Sequence, residues 1–227
     1  MFGVILDAQL GQRGFVASLE DTSDDGPALA DWRMGGNGVN IAWRGSGNPQ
    51  LNVMQERVVQ DEFGGFTDRF DGSTKFTSAE TSPFRPSLAT ALWPSFTIYM
   101  AWTGEGEGEL NYMSCTNSNP FAGAAPFITE FSSGSKVNIP TETSTSAPAI
   151  VALGKGLYLA WRGRGNDQLN LLGMALASDR RTKETSGQTT PHHPAVAAYR
   201  NRIFVAWTGE DDTINLASAR PMFDPSV

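Results

Sequence analysis

Ile41-Ala42-Trp43-Arg44-Gly45, followed after a polar gap by Leu51-Asn52, is one of four copies of a single phrase. The others are Met100-Ala101-Trp102-Thr103-Gly104 with Leu110-Asn111, Leu159-Ala160-Trp161-Arg162-Gly163 with Leu169-Asn170, and Val205-Ala206-Trp207-Thr208-Gly209 with Ile214-Asn215. Four of the six tryptophans occupy this slot, which removes chance as an explanation. A recurrence at roughly 45 to 60 residues is the mark of stacked supersecondary units, propeller blades or solenoid turns. Successive side chains on a strand point to opposite faces. Ile41 and Trp43, Met100 and Trp102, Leu159 and Trp161, and Val205 and Trp207 therefore share one face, and Ala42, Ala101, Ala160 and Ala206 lie on the other. Both faces are apolar, as in a sheet packed between two neighbours, with the Trp of one unit over the Ala side of the next. The 3.6-residue periodicity that a helical solenoid needs is missing.

A second signature precedes each copy. It reads Thr22-Ser23 then Pro27-Ala28-Leu29-Ala30, Glu80-Thr81-Ser82 then Pro86-Ser87-Leu88-Ala89, and Glu142-Thr143-Ser144 then Pro148-Ala149-Ile150-Val151. The fourth is read as Glu184-Thr185-Ser186 before Pro194-Ala195-Val196-Ala197, with Pro191-His192-His193 as a surface-loop insertion. Each unit then holds three or four antiparallel strands, the content of a propeller blade. The fold class expected is all-β: a β-propeller of four blades forming one domain over residues 1–227. Its repeats run 23–82, 83–144, 145–186 and 187–227 plus 1–22. The last copy runs out soon after Asn215, whereas Gly14–Ser23 resembles the outer strand Ser73–Ser82. The N-terminal strand is therefore expected to complete the last blade and close the ring.

Composition narrows the function classes. With 24 glycines, 13 prolines and many β-branched residues the chain favours short strands and turns. A net charge of −7 argues against nucleic acid and anionic membrane as partners. The apolar start, Met1 to Leu6, is too short for a signal peptide and lacks a basic flank, and no stretch approaches a membrane span. The expectation is a soluble chain, cytoplasmic or released by a non-classical route. The single Cys115 precludes an intrachain disulfide and reads as structural.

The recurring polar and aromatic positions are the candidate ligand contacts. An indole offers an apolar face to a sugar ring and an N–H at its edge, which nominates Trp43, Trp102, Trp161 and Trp207, although a Trp at a fixed interior-strand position reads first as core. Arg44 and Arg162 end the Ala-Trp strands beside Gly-rich turns, where a guanidinium can hold two hydroxyls or a carboxylate, or else bridge an acidic turn. Asn52, Asn111, Asn170 and Asn215 offer a donor and an acceptor to a hydroxyl pair or to a backbone turn. Copies one and three share Ala-Trp-Arg-Gly-x-Gly-Asn-x-Gln-Leu-Asn, and copies two and four carry acidic gaps, so two classes of site are expected. The acidic turns Glu105–Glu109 and Glu210–Asp212 match no known calcium loop and read as solvated. No catalytic residue, cofactor or metal is assigned, because hydrolase motifs and a P-loop are absent.

The phrase Thr-Ser-x-x-x-Pro-Ala-Leu-Ala, then Ala-Trp-x-Gly, then Leu-Asn resembles the tandem repeats of sialidase-like and lectin-like bacterial and fungal β-propellers, over nearly the whole chain. The Asp box of true sialidases is absent. The resemblance implies a propeller scaffold and sugar binding without hydrolysis. The chemical equivalence of the copies favours a non-enzymatic module that binds a neutral glycan or other polyhydroxylated ligand at repeated sites, since several weak sites gain avidity. Homo-oligomerisation is compatible with it. The alternatives are a protein-interaction or toxin-associated scaffold and, below it, a degenerate glycosidase.

Overall fold

The structure, a computed structural model, describes residues 2–6, 13–17, 19–32, 38–60, 66–70, 74–116, 131 and 133–223. Its strands in chain order are β1 (Phe2–Leu6), β2 (Arg13–Ala17), β3 (Ala28–Trp32), β4 (Gly38–Arg44), β5 (Gln50–Gln55), β6 (Arg57–Gln60), β7 (Phe66–Arg69) and β8 (Lys75–Thr81). There follow β9 (Ser87–Ala91), β10 (Thr97–Thr103), β11 (Glu109–Thr116) and β12 (Val137–Thr143). Next come β13 (Ala149–Leu153), β14 (Gly156–Arg162), β15 (Gln168–Ala175) and β16 (Arg181–Thr189), and last β17 (Ala195–Tyr199), β18 (Arg202–Thr208) and β19 (Ile214–Ala219). Fifteen of these strands form four antiparallel sheets, β3-β4-β5-β8, β9-β10-β11-β12, β13-β14-β15-β16 and β17-β18-β19. The chain is all-β, and the only helical element among the described residues that spans three positions is a 3-10 turn at Ser133–Ser135.

The repeated phrase builds the same register in each sheet. Trp43 pairs with Asn52, Trp102 with Asn111, Trp161 with Asn170 and Trp207 with Asn215. The glycine after each Arg or Thr closes the turn back across the hairpin. Gly45 N donates to Gln50 O at 3.0 Å, Gly104 N to Glu109 O at 2.8 Å, Gly163 N to Gln168 O at 2.8 Å and Gly209 N to Thr213 O at 2.8 Å. Where the outer strand joins, the register slips by a bulge at one place in three sheets, between Gln50 and Asn52, Glu109 and Asn111, and Gln168 and Asn170. A bulge bends the strand and increases its twist.

The core lies between sheets. Trp102 and Met100 cluster with Ala42, Leu51 and Val53 of the first sheet. Trp161 and Leu159 cluster with Ala101 and Leu110 of the second, and Trp207 and Val205 with Ala160 and Leu169 of the third. Trp thus meets Ala across each interface, with the order opposite to that expected: each Trp packs on the alanine side of the preceding sheet. The inner strands pack in sequence, β9 between β3 and β13, and β17 beside β13. Residues from all four line one cavity of about 580 Å³.

Two further expectations are corrected. The fourth Thr-Ser signature is not Thr185-Ser186, because β16 continues through Thr189, which pairs with Gln168. Ser82 N, Ser144 N and Thr190 N donate to Pro49 O, Gly108 O and Asp167 O, at 3.1, 2.8 and 3.0 Å, so Thr190 is the structural equivalent of the two serines. The third unit therefore ends at Thr190 and not at Ser186, and Pro191-His192-His193 is no insertion, since Thr190 stands four residues before Pro194 as Ser82 stands before Pro86. Each of these residues closes the same turn on itself. The hydroxyl donates to the carbonyl two residues on, at 2.7 Å for Ser23, 2.7 Å for Ser82, 3.0 Å for Ser144 and 3.0 Å for Thr190.

The second correction concerns the N-terminal strand. Gly14–Ala17 pairs with Gly3–Ile5 and neighbours in a separate hairpin, and β19 has no fourth strand among the described residues. Ser18, part of the expected clasp, lies outside the described residues. Joining two nearby apolar runs across residues 7–12 costs less loop-closure entropy than pairing the two ends of the chain. The end of the segment does lie beside the first sheet as an outer-strand end should: Thr22 O accepts from Ser46 N at 3.0 Å, as Thr143 O accepts from Arg164 N at 3.1 Å.

Among the described residues the fourth sheet ends at β19 as an edge, and two apolar side chains of that strand are exposed. Ile214 is 87% and Leu216 69% exposed, where their equivalents Leu51 and Val53 are fully buried. An unpaired edge exchanges its amide hydrogens from the native state, whereas an inner strand needs larger openings. Amides of β19 are expected to exchange far faster than those of β15 when followed by hydrogen–deuterium exchange, and equal protection of the two strands would contradict this edge.

Candidate functional site

The four indoles are core residues in this structure. Trp43, Trp102, Trp161 and Trp207 are buried, and their Nε1–H groups find no acceptor among the described residues. The same atom is unpaired in every copy, so it belongs to the repeat. A buried indole offers no open face to a ligand, and three of the rings are instead covered by a lysine from the outer edge of the same sheet. Lys75 lies 5.5 Å from the centroid of Trp43, Lys136 5.8 Å from Trp102 and Lys183 5.3 Å from Trp161. Such contacts are worth about 0.5–1 kcal/mol at exposed sites. Each ammonium also meets a carboxylate: Lys75 pairs with Asp21, Lys136 with Glu80 at 2.6 Å and Lys183 with Glu142 at 2.6 Å. The last two tie each sheet to the outer strand of the one before it.

In three of the four copies the residue after the Trp straps the following turn. Arg44 Nε donates to Ser82 O at 2.8 Å, Thr103 Oγ1 to Ser146 O at 2.7 Å and Arg162 Nη1 to Pro191 O at 3.1 Å. Arg44 also pairs with Asp24 at 3.1 Å and Arg162 with Asp167 at 2.6 Å. Their carboxylate partners lie in the entry turn and in their own hairpin turn, whereas the acidic second turn is met by Arg164, which reaches Glu107 at 3.5 Å. The Ser46 hydroxyl donates to Asp24, and that bond first, then the Gly47 amide and Arg44, holds the Asp24 carboxyl below its usual range.

The asparagines clamp the bulge. Asn52, Asn111 and Asn170 each donate from Nδ2 to the carbonyl two residues back, at 3.1, 2.9 and 2.9 Å. Their Oδ1 atoms accept from the outer strand, from Thr77 at 2.7 Å, Asn138 at 3.3 Å and Thr185 at 2.8 Å. Asn215 makes the first of these bonds, to Thr213 O at 3.2 Å, in the sheet that has no outer strand among the described residues.

Beside these clamps lies a polar recess that the candidate positions only border. Asp21, Asn48, Gln50, Asn52, Lys75 and Thr77 help line a cavity of about 270 Å³ at the turn of the first sheet. Asn48 Nδ2 donates to Gln50 Oε1 at 2.7 Å, which leaves the Gln50 amide nitrogen and the Asn48 oxygen without a partner among the described residues. The third sheet repeats the amide pair and its neighbours, although there the Asn166 oxygen accepts from Gln168 N at 3.2 Å. Asn166 Nδ2 donates to Gln168 Oε1 at 2.8 Å, beside Asn170, Thr185 and the Lys183–Glu142 pair. The second and fourth turns have no such amide pair, carrying Glu105–Glu109 and Glu210–Asp212 instead. Of the candidate residues, Asn52 enters the recess, and Asn170 stands at the matching place in the third sheet. The Asn-x-Gln pair was visible in the string shared by copies one and three; the lysine was not, because it stands at a different distance from the phrase in each copy.

No metal-binding cluster of three or more His, Cys, Asp or Glu side chains gathers among the described residues, and no described helix is long and apolar enough to cross a membrane. Cys115 is buried in the interface between the first two sheets. No protein-family model matches the chain, and no curated protein matches it.

Proposed function

We propose that the chain is a non-enzymatic recognition module that binds a neutral glycan or similar polyhydroxylated ligand at the amide-lined recesses of its first and third sheets. The observation that carries this reading is the duplicated Asn-Gln pair, Asn48–Gln50 and Asn166–Gln168, set in both copies beside a lysine–carboxylate pair and a threonine. Amide and ammonium donors alternating with carboxylate and hydroxyl acceptors suit vicinal hydroxyls, which are donor and acceptor at once. Two like sites on one rigid chain favour ligands that repeat. The scaffold in this proposal is a single four-bladed propeller, supported by four inner strands around one cavity and by Trp-on-Ala packing at three successive interfaces.

A glycan array supplies the first test. Neutral oligosaccharides are expected to bind and to raise the melting temperature of the chain. A flat array, with one stoichiometric protein partner recovered regardless of competing sugar, would replace this reading with that of a protein-interaction scaffold.

A further inference from the structure

The residue just before each inner-strand proline differs in every copy: Gly26, Arg85, Ala147 and His193. The four prolines, Pro27, Pro86, Pro148 and Pro194, line a second cavity of about 240 Å³ together with Arg85. Leu29, Leu88, Ile150 and Val196 line both this cavity and the larger one, so the two chambers share one wall of aliphatic residues. At the proline end the second and fourth sheets meet through side chains: Arg85 Nη2 lies 2.6 Å from His193 Nε2. The space this needs comes from Gly26, where a Cβ would stand 3.2 Å from Arg85 Nη1.

A guanidinium nitrogen donates only, so the imidazole accepts at Nε2 and is neutral in this arrangement. Burial first, then the Arg85 charge, holds His193 below its usual range, with His192 acting in the same direction and Asp25 against it. The Asp25 carboxylate is spent on the backbone, accepting from Gly26 N at 2.7 Å and from Arg85 N at 3.0 Å. Among the described residues no carboxylate forms an ion pair with the Arg85 guanidinium. Arg85, on the wall of the smaller chamber, thus presents one charged fork of donors, and its only side-chain partner among the described residues is His193, a base able to become a second donor.

We propose that this pair forms an anion site, taking the carboxylate of a short-chain acid between Arg85 and His193, with the alkyl group along the aliphatic wall of the chamber. The carboxylate accepts from the guanidinium in the paired geometry that suits it. It displaces the Arg85–His193 bond, and one proton from solvent moves onto His193 Nε2, which then donates to the second side of the anion. This site is independent of the amide recesses proposed for glycans.

The experiment follows the His193 imidazole by NMR through a pH titration, in sodium butyrate and in sodium chloride of equal ionic strength. Butyrate is expected to raise the His193 midpoint by at least about half a pH unit, a differential interaction read directly by linkage. Arg85→Gln should abolish the butyrate effect and move the free His193 midpoint upward. His193→Gln, which removes no charge at neutral pH, should leave a weaker affinity that, counted per butyrate anion, no longer varies between pH 5 and pH 7. An unchanged His193 midpoint in butyrate, an equal rise in chloride, or undiminished butyrate binding by folded Arg85→Gln would each overturn the proposal.

Discussion

Trp161→Ala is expected to destabilise the chain by about 3–5 kcal/mol, the range for removing a fully buried large aromatic side chain. Trp161 is 0% exposed and packs with Ala101 and Leu110 of the preceding sheet, so its loss opens a cavity between two sheets. It also removes the ring beneath Lys183. Trp207, 9% exposed in the sheet whose edge strand leaves Ile214 and Leu216 exposed, should cost less on the same change, because the less supported sheet can collapse into the gap. Urea denaturation of the two variants measures the difference. Equal losses would mean that the fourth sheet is as tightly held as the third, and a loss below about 1 kcal/mol at Trp161 would place that indole outside the core.

Gly108→Ala should be the most damaging single-methyl change in a turn. Gly108 has φ of +73°, and a Cβ there would overlap the carbonyl oxygen of Ser144. The Gly108 carbonyl meanwhile accepts from Ser144 N at 2.8 Å, so the backbone cannot retreat without losing the bond that fastens the end of β12. Strain of this kind costs about 1–3 kcal/mol before any clash is counted. Gly106→Ala is the control: φ is +79°, but nothing lies within 4 Å of the added carbon, so only the left-handed backbone cost of about 1–2 kcal/mol applies. If the two variants melt together, the contact between the second turn and Ser144 contributes nothing.

Much of this architecture is legible in the chain because its units are copies. The Ala-Trp phrase identifies the central strand, alternation assigns its faces, and the small alanine opposite the large indole implies sheet-on-sheet packing; all of these are local properties. What resists reading is either degenerate or long-range. Thr190 does the work of Ser82 and Ser144 through the same hydroxyl, but a search for the letters Thr-Ser stops four residues early at Thr185-Ser186. Lys75, Lys136 and Lys183 cover equivalent rings, yet the hairpin β6–β7 and residues 117–130 shift them to different distances from their tryptophans. The candidate arginines and asparagines recur because the strap and the bulge clamp recur, so conserved spacing marked scaffold more than surface. Arg85 and His193 are invisible to repeat analysis for the opposite reason, since their positions hold a different residue in every copy. The partner of the N-terminal strand is a competition between a near and a far segment, which no local pattern decides.

The central claim is that the recognition surface is duplicated in the first and third sheets and absent from the second and fourth. Isothermal titration with the strongest neutral oligosaccharide from the array tests it most directly. Wild type should bind two equivalents per chain, and Gln50→Ala or Gln168→Ala should each bind one. The double variant should bind none while its stability stays within about 0.5 kcal/mol of wild type, as for other surface changes. Undiminished binding by the folded double variant would contradict the account, because the ligand would then be held by parts of the chain other than the two amide pairs.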